Sequence, residues 1–286
     1  MAAKGNLKKG AAGPSVFRRA AAQFAQTGTT IYFDLSPLRE TNWTGIPIVA
    51  AGIARAMLET MPRHVRFFCG YDVIDGAAVA DALRRNTGLF LDRDIDQGYA
   101  HAGKLPVFGE AGRTIGFFPS VKPLRGAFDV EISVVHDLST LTLPLLHIRG
   151  NVVHHTEVLL ADLASNDLTV TVSEATRGDV LSYLGADPAR IVAAPNGVTW
   201  PDWYEAAAAN LAGAAGAEPY FLILGTREPR KNITKVFELL ELFPAHLDTH
   251  RFVFAGKMGW LEEQHVLPRA GALRGKRPNP VSWLHR

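Results

Sequence analysis

The chain of 286 residues has one cysteine, Cys69. A single thiol excludes an internal disulfide and a multi-thiolate zinc site. It falls in the mostly apolar run Val65–Gly70, where a buried, inert thiol is expected. No run of eighteen apolar residues occurs, so no membrane-spanning helix is expected. The N-terminus is basic but lacks the compact apolar stretch of a signal peptide. These features together predict a cytoplasmic protein. Four common motifs are also missing: G-x-G-x-x-G, the P-loop G-x-x-x-x-G-K-S/T, G-x-S-x-G and H-E-x-x-H. Their absence closes the motif routes to a dinucleotide enzyme, a P-loop kinase, a serine hydrolase and a zinc protease.

Acidic residues are missing from both ends. Residues 1–30 carry Lys4, Lys8, Lys9, Arg18 and Arg19 and no acid, and residues 265–286 carry Arg269, Arg274, Lys276, Arg277 and Arg286 and no acid. The other 20 of the 30 bases and all 28 acids lie between them, so a formal charge of +2 is an acidic body of −8 with two ends of +5. This is a distribution and not a basic face, so no nucleic-acid partner is expected. Around Phe17–Phe24 the first arm has a helical pattern that suits contact with an anionic membrane surface. The competing reading is a frayed terminus.

What is present is a core-forming composition, 47% apolar, and a rhythm of strands and helices. Thr30–Leu35 reads as a strand. Ile46, Val49, Ala50, Ile53 and Met57 then fall on one helical face. Further strands are expected at Val65–Gly70, Glu131–Val135, Leu168–Val172 and Arg190–Ala194. Helices are expected at Asn151–Ala164, with Val152, Leu159, Leu160 and Leu163 inward, and from the Ser173 cap through Leu184. Residues 75–115 show no clear pattern. After Pro195-Asn196-Gly197 and an Ala-rich stretch at 205–217, a second unit begins. It has a buried strand at Tyr220–Leu224, a helix at Asn232–Leu242 and a strand at Phe252–Ala255. Alternation of this kind predicts an α/β fold with parallel sheets. The expected domains are a flexible basic arm (1–30), an N-terminal Rossmann-like domain (31–199), a partial second Rossmann-like domain (200–264) and a basic tail outside the fold (265–286).

Four segments carry chemistry. In the first, a strand ends at Gly225 and Thr226, and Arg230-Lys231-Asn232 opens a helix. Ligands in open α/β sheets bind at the carboxyl ends of strands, and two cations at a helix start suit a diphosphate. The competing reading is a solvated basic turn. In the second, Gly45 in Thr44-Gly45-Ile46-Pro47 allows a ligand close to the backbone; a plain turn is the alternative. In the third, His136-Asp137 follows a strand end. It suits a hydrogen bond to a sugar hydroxyl, general-base work, or a metal site with His147, His154 and His155; a structural histidine is the bland alternative. His154 and His155 are adjacent on a helix and face different ways, which argues against a metal. In the fourth, Ser173 caps a helix, with ligand contact by Ser173 or Glu174 as an addition.

The ordered set TGI (44–46), VVHDL (134–138), TVSEATRGDVLSYLG (171–185), APNGV (194–198), FLILGTREPRKN (221–232) and FVFAGKMGW (252–260) resembles the family 4 glycosyltransferases, in the bacterial subgroup with a P-R-K-N block. The resemblance covers about residues 30–262. It implies a GT-B architecture, two Rossmann-like domains facing across a cleft. It also implies sugar transfer from a nucleotide-diphosphate donor with retention, without a metal or other cofactor. By similarity Arg230 and Lys231 hold the diphosphate, Gly45 approaches it and His136 meets the donor sugar. The implied acceptor is a polysaccharide or lipid-linked saccharide, and the implied location is the inner membrane face. Thr226 stands where other family members have an arginine, and Arg227 where the subgroup usually has an apolar residue. The family's later E-x7-E segment has no counterpart, and the tail Leu267–Arg286 holds five breakers and no strand signal. A truncated or frame-shifted chain is therefore expected, and an inactive fragment is one alternative function. A metal-dependent hydrolase using His136 and Asp137 is another.

Overall fold

The structure is a computed structural model describing residues 23–40, 43, 45–85, 108, 112–198, 204, 206, 207, 219–226, 228–245, 249–256 and 281–284. The basic arm up to residue 22, Thr44, Arg227, most of the Ala-rich stretch and residues 257–280 lie outside them. The chain divides into two compact units. One is Met1–Thr142 with Gly150–Asn196; the other is Leu143–Arg149 with Gly197–Arg286.

The first unit is built on a seven-stranded sheet. Its elements are β1 (Thr30–Asp34), α1 (Ile46–Thr60), β2 (Val65–Cys69), β3 (Asp72–Ile74), α2 (Gly76–Arg85), β4 (Thr114–Phe118), β5 (Val130–Val135), α3 (Val158–Ser165), β6 (Leu168–Thr171), α4 (Glu174–Leu184) and β7 (Ile191–Ala193). The strand order is β3-β2-β1-β4-β5-β6-β7. Every pair is parallel except β2 with β3, which is antiparallel. The chain leaves β1 toward β2 and later returns to β4 on β1's other side. The gap between β1 and β4 is therefore the topological switch point, where the carboxyl ends of the strands open a crevice.

Side chains of β1 alternate between two apolar layers, as the two-residue strand period requires. Phe33 packs with Phe67, Val65 and the alanine face of α1 (Ala50, Ala51, Ala54). Tyr32 packs with Phe68, Phe108, Phe118 and Phe128 on the other side. Burial of both faces explains why β1 reads as a continuous apolar run. β4, whose segment gave no sequence signal, pairs with β1 at Ile31↔Ile115 and with β5 at Phe117↔Ile132.

The connection from β4 to β5 is held by buried charge. Lys122 is fully buried and its Nζ lies 2.5 Å from Glu131 Oε2. Its backbone N–H donates to Asp162 Oδ2 at 2.9 Å, and Arg125 Nε donates to Asp162 Oδ1 at 2.8 Å. Burial pulls the Lys122 ammonium down from its usual range, against the pull of Glu131 and Asp162.

The helix expected at Asn151–Ala164 contains a π-helical turn at Val153–Glu157 before α3. The wider turn shifts the helical phase of the residues after it. Leu159 and Leu163 face the apolar cluster of β5, α4 and β7. Leu160, expected inward, is instead 59% exposed, and Asp162 is buried.

The second unit has β8 (Tyr220–Leu224), α5 (Thr234–Leu242), β9 (Arg251–Ala255) and β10 (Val281–Leu284). They form a parallel sheet in the order β10-β9-β8. Ile233, Phe237 and Leu240 pack on Phe252 and Phe254. Two expectations are corrected. Among the described residues β8 lies at the edge of its sheet and is exposed and not buried, with Tyr220 60% and Leu224 77% exposed. The tail expected to have no strand supplies β10, whose residues pair with β9 from Val281↔Phe252 to Leu284↔Ala255. Its breakers end at Pro280, and the β-favouring Val281 and Trp283 beyond it extend the open side of β9.

Candidate functional site

In the first unit the sequence-derived residues lie at the carboxyl edge of the sheet. His136 and Asp137 follow β5, and Ser173 and Glu174 follow β6. Val135 and Thr171 are register partners, so the two strand ends are neighbours. They are tied directly: Thr176 Oγ1 donates to the His136 carbonyl at 3.2 Å. Ser173 is the N-cap of α4 and accepts from the Thr176 N–H at 3.0 Å. Capping is the role its local sequence predicted. Glu174 is exposed in the first turn, where its charge complements the helix start.

His136 is half-buried. Its Nε2 lies 2.8 Å from the Pro119 carbonyl at the end of β4. A carbonyl only accepts, so Nε2 carries the proton. Burial lowers the imidazole pKa, opposed by that hydrogen bond and by Asp137. The ring is therefore neutral at pH 7, with Nδ1 left as an acceptor. Such a ring accepts a hydrogen bond from a hydroxyl group. Asp137 is exposed, but its Oδ1 accepts from both the N–H and the Oγ of Ser139, at 2.8 and 2.6 Å. That oxygen is committed to shaping the turn after β5, which weakens the general-base reading of Asp137.

Gly45 is the N-cap of α1, at φ 62° and ψ −115°. A Cβ there meets nothing within 4 Å. The glycine is needed for its backbone conformation, and the space beside it is open.

Sequence reasoning missed Asp34, at the end of β1 beside the switch point. Its Oδ1 accepts from the Ser36 N–H and Oγ at 3.0 and 2.6 Å. Asp34-Leu35-Ser36 thus repeats the turn made by Asp137-Leu138-Ser139. That repeated tripeptide after two apolar runs was the available signal. The environments differ. Asp137 is exposed, whereas Asp34 is wholly buried, and its Oδ2 has no hydrogen-bond partner among the described residues. Burial pushes the Asp34 carboxyl up to about 7, against the Ser36 hydrogen bonds.

In the second unit Gly225 ends β8 at φ 137°, and Gly256 ends β9 at φ 149°. A Cβ on Gly256 would fall 2.1 Å from the Gly225 carbonyl oxygen, so the two strand ends approach at backbone distance. After Thr226 the chain turns through the 3-10 segment Pro229–Lys231. Asn232 takes a left-handed conformation at φ 50°, and α5 begins at Thr234. The helix expected from Asn232 therefore starts two residues later, and the cations sit on the turn before it.

The two cations differ. Arg230 pairs with Glu228, NH2 to Oε1 2.7 Å, and the Glu228 side chain is only 4% exposed. Lys231 is exposed and has no carboxylate partner among the described residues. Its Cε lies 3.9 Å from the Cβ position of Gly225, so its stem crosses the end of β8. Sequence reasoning treated the two as equivalent and missed Glu228, which neutralises one of them.

Among the described residues no group of three His, Cys, Asp or Glu side chains could hold a metal ion. His154 and His155 make an edge-on ring pair, centroids 4.8 Å apart. No described helix is long and apolar enough to cross a membrane.

No protein-family model matches the chain, and no curated protein matches it. Solved structures do. HepE of Anabaena in complex with UDP and glucose is 12% identical, over 90% of this chain and 69% of that one, with a TM-score of 0.48. An α,α-trehalose-phosphate synthase (UDP-forming) from Burkholderia vietnamiensis is 12% identical, over 90% and 73%, with a TM-score of 0.48. The E. coli trehalose-6-phosphate protein bound with UDP-2-fluoro glucose is 19% identical, over 55% of this chain and 48% of that one, with a TM-score of 0.32. The Rossmann-like α/β assignment of each unit stands on its own strand order.

Proposed function

We propose that the chain belongs to a glycosyltransferase of the retaining, GT-B type, related to family 4. It would take a nucleotide-diphosphate sugar as donor and a polysaccharide or lipid-linked saccharide as acceptor. The observation that carries the proposal is Lys231, an exposed ammonium whose stem crosses the glycine at the end of β8. A fixed positive charge at a strand end is the feature that stabilises a departing diphosphate. Support also comes from the ordered motifs between residues 44 and 260, which resemble that family in sequence.

In this mechanism Lys231 meets the diphosphate first. Arg230 joins it by exchanging Glu228 for a phosphate oxygen, so its contribution is the difference between two ion pairs. His136 accepts a hydrogen bond from a donor-sugar hydroxyl at Nδ1 while Pro119 fixes the ring through Nε2. Gly45 supplies backbone without a side chain at open space. Ser173 and Thr176 hold the β5 and β6 ends in place, and Glu174, Gly225 and Thr226 line the strand ends. The mechanism uses no metal or other cofactor.

The test is donor turnover. The chain is incubated with UDP-, ADP- and GDP-sugars, with and without a lipid-linked saccharide fraction, and proton NMR follows the released or transferred sugar. Nucleoside diphosphate release with the original anomeric configuration is expected for one nucleotide class. Inverted configuration contradicts retention, and no release from any donor contradicts transfer.

A further inference from the structure

His136 Nε2 donates to the Pro119 carbonyl at 2.8 Å, and that contact decides which ring nitrogen is left to accept. Whatever fixes the carbonyl therefore fixes the acceptor. Pro119 is buried and has no backbone N–H to anchor it. Among the described residues, no backbone-to-backbone hydrogen bond involves Pro119 to Lys122. The hold comes from side chains. Lys122, three positions on, is fully buried. Its Nζ lies 5.7 Å from the ring centroid of Phe118, the residue before Pro119, and 2.5 Å from Glu131 Oε2 near the start of β5. Its backbone N–H donates to Asp162 Oδ2 on α3 at 2.9 Å. Glu131 Oε1 accepts from the Ala127 N–H at 2.9 Å, so the same carboxylate holds the far end of the connection. One lysine thus ties the end of β4 to a neighbouring strand and a helix.

We propose that Lys122, with Glu131 and Asp162, is a positioning residue for the donor sugar: it seats the Pro119 carbonyl against His136 Nε2 and so keeps Nδ1 as the acceptor. Lys122 is sealed from solvent, so it acts through His136 and not on a ligand. A displacement of the carbonyl by about 1 Å takes the contact out of hydrogen-bonding range. The ring then has no fixed tautomer, and a sugar hydroxyl loses its acceptor. Close packing of Phe118, Leu124 and Phe128 passes a shift along the connection and does not absorb it. The proposal rests on the assignment of His136 to the donor sugar. The link from Lys122 to His136 is a separate physical claim and is measured without a donor.

The test is the tautomer of His136, read from its ring nitrogen shifts by NMR at pH 8 on the full chain with isotope-labelled histidine. The signal is assigned by its loss in His136→Ala. Two variants are compared with wild type. Lys122→Met/Glu131→Gln removes both buried charges together, so neither is stranded. Asp162→Ala releases the Lys122 N–H. Wild type should show the proton on Nε2. In both variants the ratio of Nε2–H to Nδ1–H should fall at least tenfold. Only folded molecules contribute to these shifts, so a network that serves stability alone leaves them unmoved. Calorimetry with the sugar donor should show at least fivefold weaker binding in both variants, and no further loss when either is combined with His136→Ala. Unchanged shifts in the folded variants overturn the proposal, and so does a wild-type proton on Nδ1. Wild-type donor affinity in a variant whose tautomer has changed also overturns it. No donor binding by wild type defeats the transferase reading, and the shifts alone then decide the link from Lys122 to His136.

Discussion

Asp34→Asn should remove a pH dependence that one buried carboxyl imposes on stability. Asp34 is wholly buried, and its pKa is raised from 3.8 to about 7, chiefly by burial. Between those values the folded chain holds a proton that the unfolded chain has released. Stability then falls as pH rises, by about 1.4 kcal/mol per pH unit. The favourable contribution is complete below pH 3.8 and is lost as pH passes through about 7. Across the window the loss is about 4 kcal/mol. Asparagine keeps an oxygen for the two Ser36 hydrogen bonds but cannot ionise. Its amide shifts the baseline equally at every pH, so the slope is the informative quantity. Urea unfolding of both proteins at half-unit steps from pH 4.5 to 8.5, followed by far-ultraviolet circular dichroism, measures it. The stability of Asp34→Asn relative to wild type should climb steadily toward neutral pH and level off above about 7. A difference that stays flat within about 0.5 kcal/mol would refute the buried-carboxyl account.

Three further outcomes are expected. Lys122→Met strands Glu131 in the interior and should cost about 3–5 kcal/mol, read by chemical unfolding; adding Glu131→Gln should recover part of it. Gly256→Ala drives a Cβ into the Gly225 carbonyl and should destabilise the second unit by about 3 kcal/mol, with weaker UDP binding in calorimetry. His136 is neutral at pH 7 because burial lowers its pKa. Its stabilising contribution is complete above about 6.5 and is lost as pH falls. Affinity for a sugar donor should weaken over the same direction of pH, and the pH response specific to the sugar should vanish in His136→Ala.

Features set by neighbours in sequence were the ones legible in advance. Ser173 capping α4 is an example, since an N-cap is decided within three residues. The strands around β1, β2, β5 and β6 were readable because both faces of the first sheet are covered, which leaves continuous apolar runs. The same signal misled at Tyr220–Leu224. An apolar run shows what a strand is able to bury, and not whether it lies at the centre or the edge of its sheet. Leu160 was misplaced because neighbouring positions on a helix point about 100° apart: with Leu159 and Leu163 turned to the core, Leu160 faces outward. The contacts of Lys122 reach Glu131 and Asp162, 9 and 40 residues away, beyond any local pattern. At the candidate site the cations were visible as a motif. The capture of Arg230 by Glu228 was not, because it depends on how the turn folds back and buries the glutamate.

Calorimetric titration of the full chain with UDP, ADP and GDP, repeated for Lys231→Ala and Arg230→Ala, tests the central claim most directly. One nucleoside diphosphate should bind. Lys231→Ala should lose about 1.5–3 kcal/mol, at least tenfold in Kd, with its melting temperature unchanged. Arg230→Ala should lose less affinity and also melt earlier, because it leaves Glu228 buried without its partner. No binding of any nucleoside diphosphate, or equal affinity in wild type and Lys231→Ala, would contradict the account.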